Sequence, residues 1–381
     1  MVEIVEVKTS RQQREFLNFP LKLYKDNPYF VPPLWGDEKK IFRPDYVYYD
    51  TSEAVYYNAY RDGVMVGRIS GILQKASNEL RGEKRVRFTR FDAINDQQVA
   101  DALFKAVEDW ALSKGMDTVC GPLGFSDLER EGLLIEGFDQ LSTFEEQYNA
   151  EYYGTLIENC GYAKEVDWLE HKLFLPEKDD GRLEKMADYI MKRYELHFGE
   201  AKNTNDFVRK HIDSFFRLID DSYASLYGTV PITENVKKML RDNFSLLLDM
   251  RYIEVVYNEK DEPVCFGVCF PSIGEALQPS GGHLTPLAIV KILRAKHKPK
   301  AIDLGLVGVA GDYVNKGVGT VIIARLYRTL RETGADYAET NLNLEDNTKI
   351  IGMWKCFKTI QHKRRRAYVK KLKAYEKGCP V

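Results

Sequence analysis

Cysteine is scarce and unpatterned in this chain. Its 381 residues hold six, Cys120, Cys160, Cys265, Cys269, Cys356 and Cys379, with no C-x-x-C pair, which excludes a disulfide scaffold and a cysteine-rich zinc module. Histidine is equally sparse. None of the six sits with another at metal-ligand spacing, so no metal is expected. Net charge is nearly absent: 55 Lys and Arg face 57 Asp and Glu, which leaves no global basic footprint for nucleic acid. No apolar run reaches the length of a membrane span, so no membrane partner is expected. The opening residues Met1 to Val7 alternate like a strand and lack a signal peptide's cationic start and apolar stretch. These absences together predict a reduced, cytoplasmic protein.

What is present is the composition of a folded protein, 44% apolar and 29% charged, on a chain long enough for two domains. The polar stretch after Pro176 is the best linker, giving domains 1–176 and 181–381. In the first, Ala54 to Tyr60 and Val64 to Leu73 read as a hairpin around Arg61-Asp62-Gly63. A strand from Arg85 to Phe91 follows. Asp96 then caps a helix through Lys114 with Val99, Leu103, Val107 and Trp110 on one face. Asp117 to Cys120 reads as a strand and Phe144 to Asn159 as a helix. The second domain repeats this order: a hairpin of Tyr252 to Tyr257 and Val264 to Phe270, a strand over 301–309, a long helix, a strand from Asp336 to Asn341 and a helix from Glu345 to Phe357. A basic strand-like segment, which includes His362 to Arg366 and reads as solvated, closes the chain. Helical segments at Arg11 to Tyr24, Asp206 to Tyr223 and Glu234 to Leu248 precede the two halves.

Between strand 301–309 and the long helix lies Val314-Asn315-Lys316-Gly317-Val318-Gly319. Glycines at a strand-to-helix turn let backbone approach a ligand closely, and the first amides of a helix have no internal partner, so the turn suits a phosphate. This loop and the element order resemble the GNAT superfamily of acyl-CoA N-acyltransferases, whose loop is Gln/Arg-x-x-Gly-x-Gly/Ala. Gly317 and Gly319 match, and Val314 departs. The resemblance implies an α/β (α+β) fold of two tandem GNAT-like domains, each a mixed, mostly antiparallel sheet flanked by helices. It implies acetyl-CoA or another acyl-CoA as co-substrate, held by Val309, Ala310, Val314, Asn315, Lys316, Gly317, Val318, Gly319 and Thr320, with Asn347 opening a later helix. In the first half the corresponding loop reads Phe91-Asp92-Ala93-Ile94-Asn95-Asp96. It has no glycine and two carboxylates that would repel a pyrophosphate, so that domain is expected to be degenerate.

The implied reaction is acyl transfer to a primary amine of a small molecule or peptide in the interdomain cleft. It needs a base for the ammonium and donors for the oxyanion. Asp303 and Glu345 are the candidate bases. The superfamily's acidic tyrosine falls on Trp354, so Tyr313 or Tyr327 is the candidate acid. The glycine-rich segment 121–138 is the candidate acceptor loop, with Asp127, Glu129 and Glu131 for a cationic amine and Phe125, Phe138 and Tyr153 as lining. The missing tyrosine and Val314 also allow a non-catalytic protein that senses coenzyme A or another ligand.

Overall fold

The structure is a computed structural model and describes residues 1–178, 180–247 and 249–373. Asp179 of the expected linker, Leu248 of the expected helix and Cys379 lie outside the described residues. The chain divides into two compact units that are discontinuous in sequence. Unit 1 comprises Met1–Trp168, Gly274–Ala288 and the described residues from Lys363, and unit 2 comprises the described residues of Leu169–Ile273 and Ile289–His362.

Unit 1 opens with β1 (Glu3–Glu6), α1 (Ser10–Leu23), the one-turn α2 (Trp35–Glu38) and the hairpin β2 (Ser52–Arg61) and β3 (Val64–Gln74). It continues with α3 (Lys75–Arg81), β4 (Arg85–Ala93), α4 (Gln97–Ser113), β5 (Thr118–Gly121), β6 (Leu133–Glu136) and α5 (Tyr153–Asn159). Strand β7 (Ala163–Phe174) carries the chain into unit 2. The hairpin turns on Asp62 and Gly63, with φ of 51° and 76°, two successive positive angles that match the strands' twist. Asp96 caps α4 by accepting from the amides of Gln98 and Val99. Val99, Leu103 and Val107 then bury the face expected of them, while Trp110 packs at its edge. Only the last part of the helix expected over 144–159 forms. Asn149 is the physical reason: its side chain accepts from Leu134 N–H at 2.7 Å and donates to Leu134 C=O at 3.0 Å. That exchange ties the segment to β6 in a non-helical course.

Unit 2 continues with α6 (Arg182–Arg193), β8 (His197–Phe198), α7 (Thr204–Tyr223), α8 (Glu234–Leu247), β9 (Ile253–Tyr257) and β10 (Pro263–Pro271). After α9 (Gly274–Leu277), a part of unit 1, come α10 (Pro286–His297), whose residues up to Ala288 still belong to unit 1, then β11 (Ala301–Val309), α11 (Gly319–Thr333), β12 (Tyr337–Thr340), β13 (Asn343–Leu344) and α12 (Thr348–Met353). The strand order is β7-β12-β11-β10-β9-β8. Helix α7 packs Phe215 and Phe216 with Val255, Phe266 and Val268 on one face. Helix α11 packs Val321, Ile322 and Ala324 with Val256, Val264 and Cys265 on the other. Its approach depends on Gly267, where an added Cβ would lie 2.4 Å from Ile322 Cγ2. Both units therefore run hairpin, antiparallel third strand, helix, and a fourth strand parallel to the third.

The last strand, β14 (Lys358–Lys371), pairs from Arg364 to Arg366 with β6 and from Tyr368 to Lys371 with β5 inside unit 1. Its basic run is not a solvated strand, contrary to the reading of the sequence. Arg365 is wholly buried and donates to the Gln147 carbonyl, while Arg364 and Arg366 donate to the buried Asp167 at 3.1 and 2.8 Å. An internal carboxylate neutralises what the sequence displays as an exposed charge block.

A second buried ion group lies in unit 1. Glu38 sits 3.0 Å from Arg90 and 3.7 Å from Arg130. Burial alone would raise its pKa, but the charges of Arg90 and Arg130 prevail and hold it down from 4.5 to about 2. A depressed carboxyl stabilises the fold above its unfolded pKa, and that contribution is lost as pH falls from 4.5 toward 2. In urea titrations, stability is expected to fall across that window. Glu38→Gln is expected to lower stability at neutral pH and to flatten the acid slope. An equally steep slope in the variant would contradict this role.

Candidate functional site

Strand β11 is paired with β12 for only part of its length. The parallel ladder runs from Ala301/Tyr337 to Leu304/Thr340, where β12 ends, whereas β11 continues to Val309. On its other edge β11 pairs with β10, but Val268 faces Leu306 and Cys269 faces Leu304, so Gly305 is the extra residue of a β-bulge. A bulge kinks a strand and re-aims the residues after it. Leu304 to Val307, Val309 and Ala310 are half-exposed in the middle of a sheet. The backbone of Val307 turns toward the open side, where Tyr223 at the end of α7 donates its hydroxyl to Val307 C=O at 3.0 Å and accepts from its N–H at 3.3 Å. Ser222 donates to Val309 C=O at 3.3 Å.

The corresponding strand of unit 1 has the same bulge and no opening. Its ladder with β5 runs from Arg85/Thr118 to Arg87/Cys120, and the register with β3 shifts around Arg90, whose φ is 52°. Beyond that ladder the chain after Gly121 folds back, and Leu123 N–H donates to Phe88 C=O at 2.9 Å. Tyr153 accepts from Ala93 N–H at 2.9 Å, and Tyr152 donates to Ala93 C=O at 2.7 Å. Every residue of β4 from Val86 to Ala93 is buried. Unit 1 plugs with its own chain the wedge that unit 2 leaves half-open.

The two helix starts differ in the same sense. After β11 comes a 3₁₀ turn, Gly311–Lys316, then Gly317 in the left-handed region at φ 74°, where glycine carries no steric penalty. Helix α11 begins at Gly319 with no side-chain cap and no acidic residue in its first turn. The exposed loop carries Lys316, whose ammonium lies 4.2 Å from the Tyr313 ring centroid and 5.6 Å from that of Tyr194. An uncapped, acid-free helix start beside a cation is electrostatically suited to an anion. In unit 1, Asp96 consumes the amides of α4 and pairs with Arg61 at 2.7 Å. Asp92 is almost fully buried, paired with Arg68 at 2.8 Å, and accepts from Tyr24.

The remaining expected site residues are dispersed around this geometry. Val309, Ala310, Val314 to Gly317, Gly319 and Thr320 are exposed or half-exposed, whereas Val318 is fully buried in the core with Ile190 and Val321, and Gly319 leaves room for Met353 of α12, whose Cε would be 2.7 Å from an added Cβ. Asn347 caps α12, its side chain accepting from Ile350 N–H at 3.2 Å. Glu345 precedes α12, which has no acid in its first turn. The Tyr313 hydroxyl accepts from Asn258 at 3.3 Å. Trp354 is buried, and its indole N–H donates to Asn343 at 2.9 Å.

Asp303 is buried in the laddered part of β11. Ile302 and Leu304 pack in the core beneath α11, so alternation puts Asp303 on the opposite face. Its register partner on β12 is Glu339, whose Oε1 lies 3.4 Å from Nε2 of the buried His362. Asp303 was singled out from sequence. Glu339 and His362 were missed, and the only signal was the register that parallel pairing would set between the two strands.

The acceptor-loop candidates serve the interior of unit 1. Phe125 is fully buried and stacks on Tyr48, with Tyr46 and Tyr49 edge-on. Glu129 accepts from Phe125 N–H and from Tyr46, each at 2.9 Å. Glu131 is buried, and burial followed by the charge of Asp127 pushes its carboxyl well above the usual range. Asp127 is half-buried, Phe138 packs at the edge of the core, and Tyr153 is fully buried with its hydroxyl 2.8 Å from that of Tyr24.

No family model matches the sequence. The chain is 29% identical over 373 residues to protein YghO of Escherichia coli (strain K12), covering 94% of this chain and 93% of that one. It is 27% identical over 328 residues to a protein named bacterial ceramide synthase from Caulobacter vibrioides (strain NA1000 / CB15N), covering 84% of each. Among solved structures it resembles a tandem GNAT protein from the clavulanic acid biosynthesis pathway, with a TM-score of 0.56 and 13% identity over 97% of this chain and 98% of that chain. It also resembles a probable N-acyltransferase from Enterococcus faecalis V583, with a TM-score of 0.52 and 6% identity over 98% of this chain and 73% of the other. The chain has the tandem GNAT fold that its element order implies.

The contrast between the helix starts is open to test. Asp96→Ala is expected to cost about 1 kcal/mol of stability, the usual worth of an N-cap, measured by urea denaturation. An unchanged midpoint would show that the carboxylate is not what satisfies α4.

Proposed function

We propose that this protein is an acyl-CoA-dependent N-acyltransferase whose unit 2 binds the co-substrate. The observation that carries the reading is the half-exposed stretch of β11 beyond Leu304, followed by the 3₁₀ turn Gly311–Lys316 and a helix start with no side-chain cap, with Lys316 beside it. Coenzyme A offers a pyrophosphate for such a helix start and an amide-bearing arm that can hydrogen-bond along β11 by displacing the Tyr223 and Ser222 hydroxyls from Val307 and Val309. The residues present fit it. Acyl-CoA supplies an activated thioester carbonyl, and the protein must position it, stabilise the oxyanion and take a proton from the amine.

In this reading the oxyanion donors are backbone amides in the bulged part of β11 other than that of Val307, which donates to Tyr223. The proton acceptor is the buried group of Glu339 and His362, with Asp303 beside Glu339. As the amine nitrogen bonds to the acyl carbon, its proton passes to this group and the C–S bond breaks, leaving coenzyme A as thiolate. The identity to a protein named bacterial ceramide synthase favours a long-chain amine as acceptor, because a ceramide is the amide of such an amine with a fatty acid. Trp354 favours a second reading, a non-catalytic binder of coenzyme A. Its indole is held by Asn343 where the superfamily resemblance implies a titratable tyrosine.

Calorimetry with acetyl-CoA is expected to show binding tighter than about 1 mM. Lys316→Glu is expected to weaken it roughly tenfold, about 1.4 kcal/mol, and Asp92→Asn to leave it unchanged while lowering stability. Equal loss in both variants, or no binding to either unit, would remove the assignment to unit 2. Glu339→Gln is expected to lower kcat at least about a hundredfold with coenzyme A affinity kept. Thiol release over an amine panel separates the two readings: binding without turnover leaves the non-catalytic one.

A further inference from the structure

Helix α10 exposes an apolar face that nothing in the proposed reaction uses. Leu284, Leu287, Ile289, Val290 and Leu293 are 43% to 65% exposed. They are five of the thirteen exposed large apolar side chains among the described residues, all within ten consecutive positions. Single exposed leucines need no explanation, but a contiguous cluster does. At 100° per residue, Ala288, Ile292 and Ala295 share the side turned toward the protein, where Ala288 is buried and the other two are half-buried. Leu287, Val290 and Leu293 share the outward side.

Charge names the occupant. No Asp or Glu occurs from Ala276 to Ile302, while Lys291, Arg294, Lys296, Lys298 and Lys300 do, in a chain where acids slightly outnumber bases. Basic residues in the last turn complement the helix dipole, which accounts for Arg294 and Lys296 but not for the bare leucines beside them. An outward face of Leu287, Val290 and Leu293 that also carries Arg294, with Lys291 at its edge, suits a helix lying in the headgroup region of an anionic bilayer, the apolar side chains down and the two long cations reaching up to the phosphates. Such a helix needs no spanning length. No described helix is long and apolar enough to cross a membrane, and the 12 residues of α10 cover about 18 Å. The sequence-based expectation of no membrane partner rested on the absence of a spanning run, which does not bear on a helix that lies on the surface.

We infer that α10 docks this protein onto anionic lipid surfaces through Leu287, Val290 and Leu293, with Lys291 and Arg294 at the headgroups. The inference is independent of the proposed acyl transfer. Other occupants of an apolar face, such as a second copy of the chain, would have to bring two acid-free basic segments together, which like-charge repulsion opposes.

The test is sedimentation of the full-length protein with vesicles of phosphatidylcholine alone and of phosphatidylcholine with phosphatidylglycerol. Binding is expected to be at least tenfold stronger to the anionic vesicles and to weaken as salt rises. Val290→Glu/Leu293→Glu is expected to abolish it while leaving the thermal unfolding midpoint unchanged, since both residues are exposed. Lys291→Glu/Arg294→Glu is expected to remove the preference for anionic lipid. Equal or no binding to the two vesicle types would overturn the inference. So would a concentration-dependent dimer, seen by ultracentrifugation of the parent protein, that Val290→Glu/Leu293→Glu converts to monomer.

Discussion

Backbone amides and carbonyls inside a protein need partners, and a strand whose neighbour stops early must find them elsewhere. That constraint governs both units. Unit 1 meets it permanently, by folding the chain after β5 across β4 and by setting Tyr152 and Tyr153 on Ala93. Unit 2 meets it with the hydroxyls of Tyr223 and Ser222 on Val307 and Val309, and leaves the strand half-exposed. The bulge at Gly305 and the close seat of α11 over Gly267 extend the same local design.

Helix starts follow the strands that feed them. Where β4 is sealed, Asp96 caps α4 and Asp92 is committed to Arg68 inside the core. Where β11 is open, α11 starts uncapped with no acid in its first turn and a lysine nearby. One architecture thus yields one unit whose strand–helix junction is a structural joint and one whose junction is chemically available. Buried charge elsewhere belongs to structure: Glu38 with Arg90 and Arg130, and Asp167 with Arg364 and Arg366.

Much of this was legible in the residues because the signals are local. The Asp62-Gly63 turn, the Asp96 cap and the Gly317 loop each act within a few positions of themselves, and their elements formed where the spacing places them. What escaped depends on distant partners. Asn149 keeps 144–152 out of the expected helix through Leu134, and Arg365 is buried because β14 inserts beside β5 and β6. The pairing of Asp303 with Glu339, and of Glu339 with His362, arises only when β11, β12 and the start of β14 are assembled. Helix α10 was passed over because outward apolar residues blur its helical stripe, whereas α6 was overlooked although Leu183, Met186, Ala187, Ile190 and Met191 keep helical spacing.

On the proposed function, acyl-CoA meets an accessible strand edge and helix start in unit 2 and not in unit 1. Hydrogen exchange with and without saturating acetyl-CoA measures that directly. Slowed exchange confined to residues 304–310 and 315–322 is the predicted result, with 86–99 of unit 1 unaffected. Protection in the 86–99 segment, or none in either unit at saturation, would contradict it.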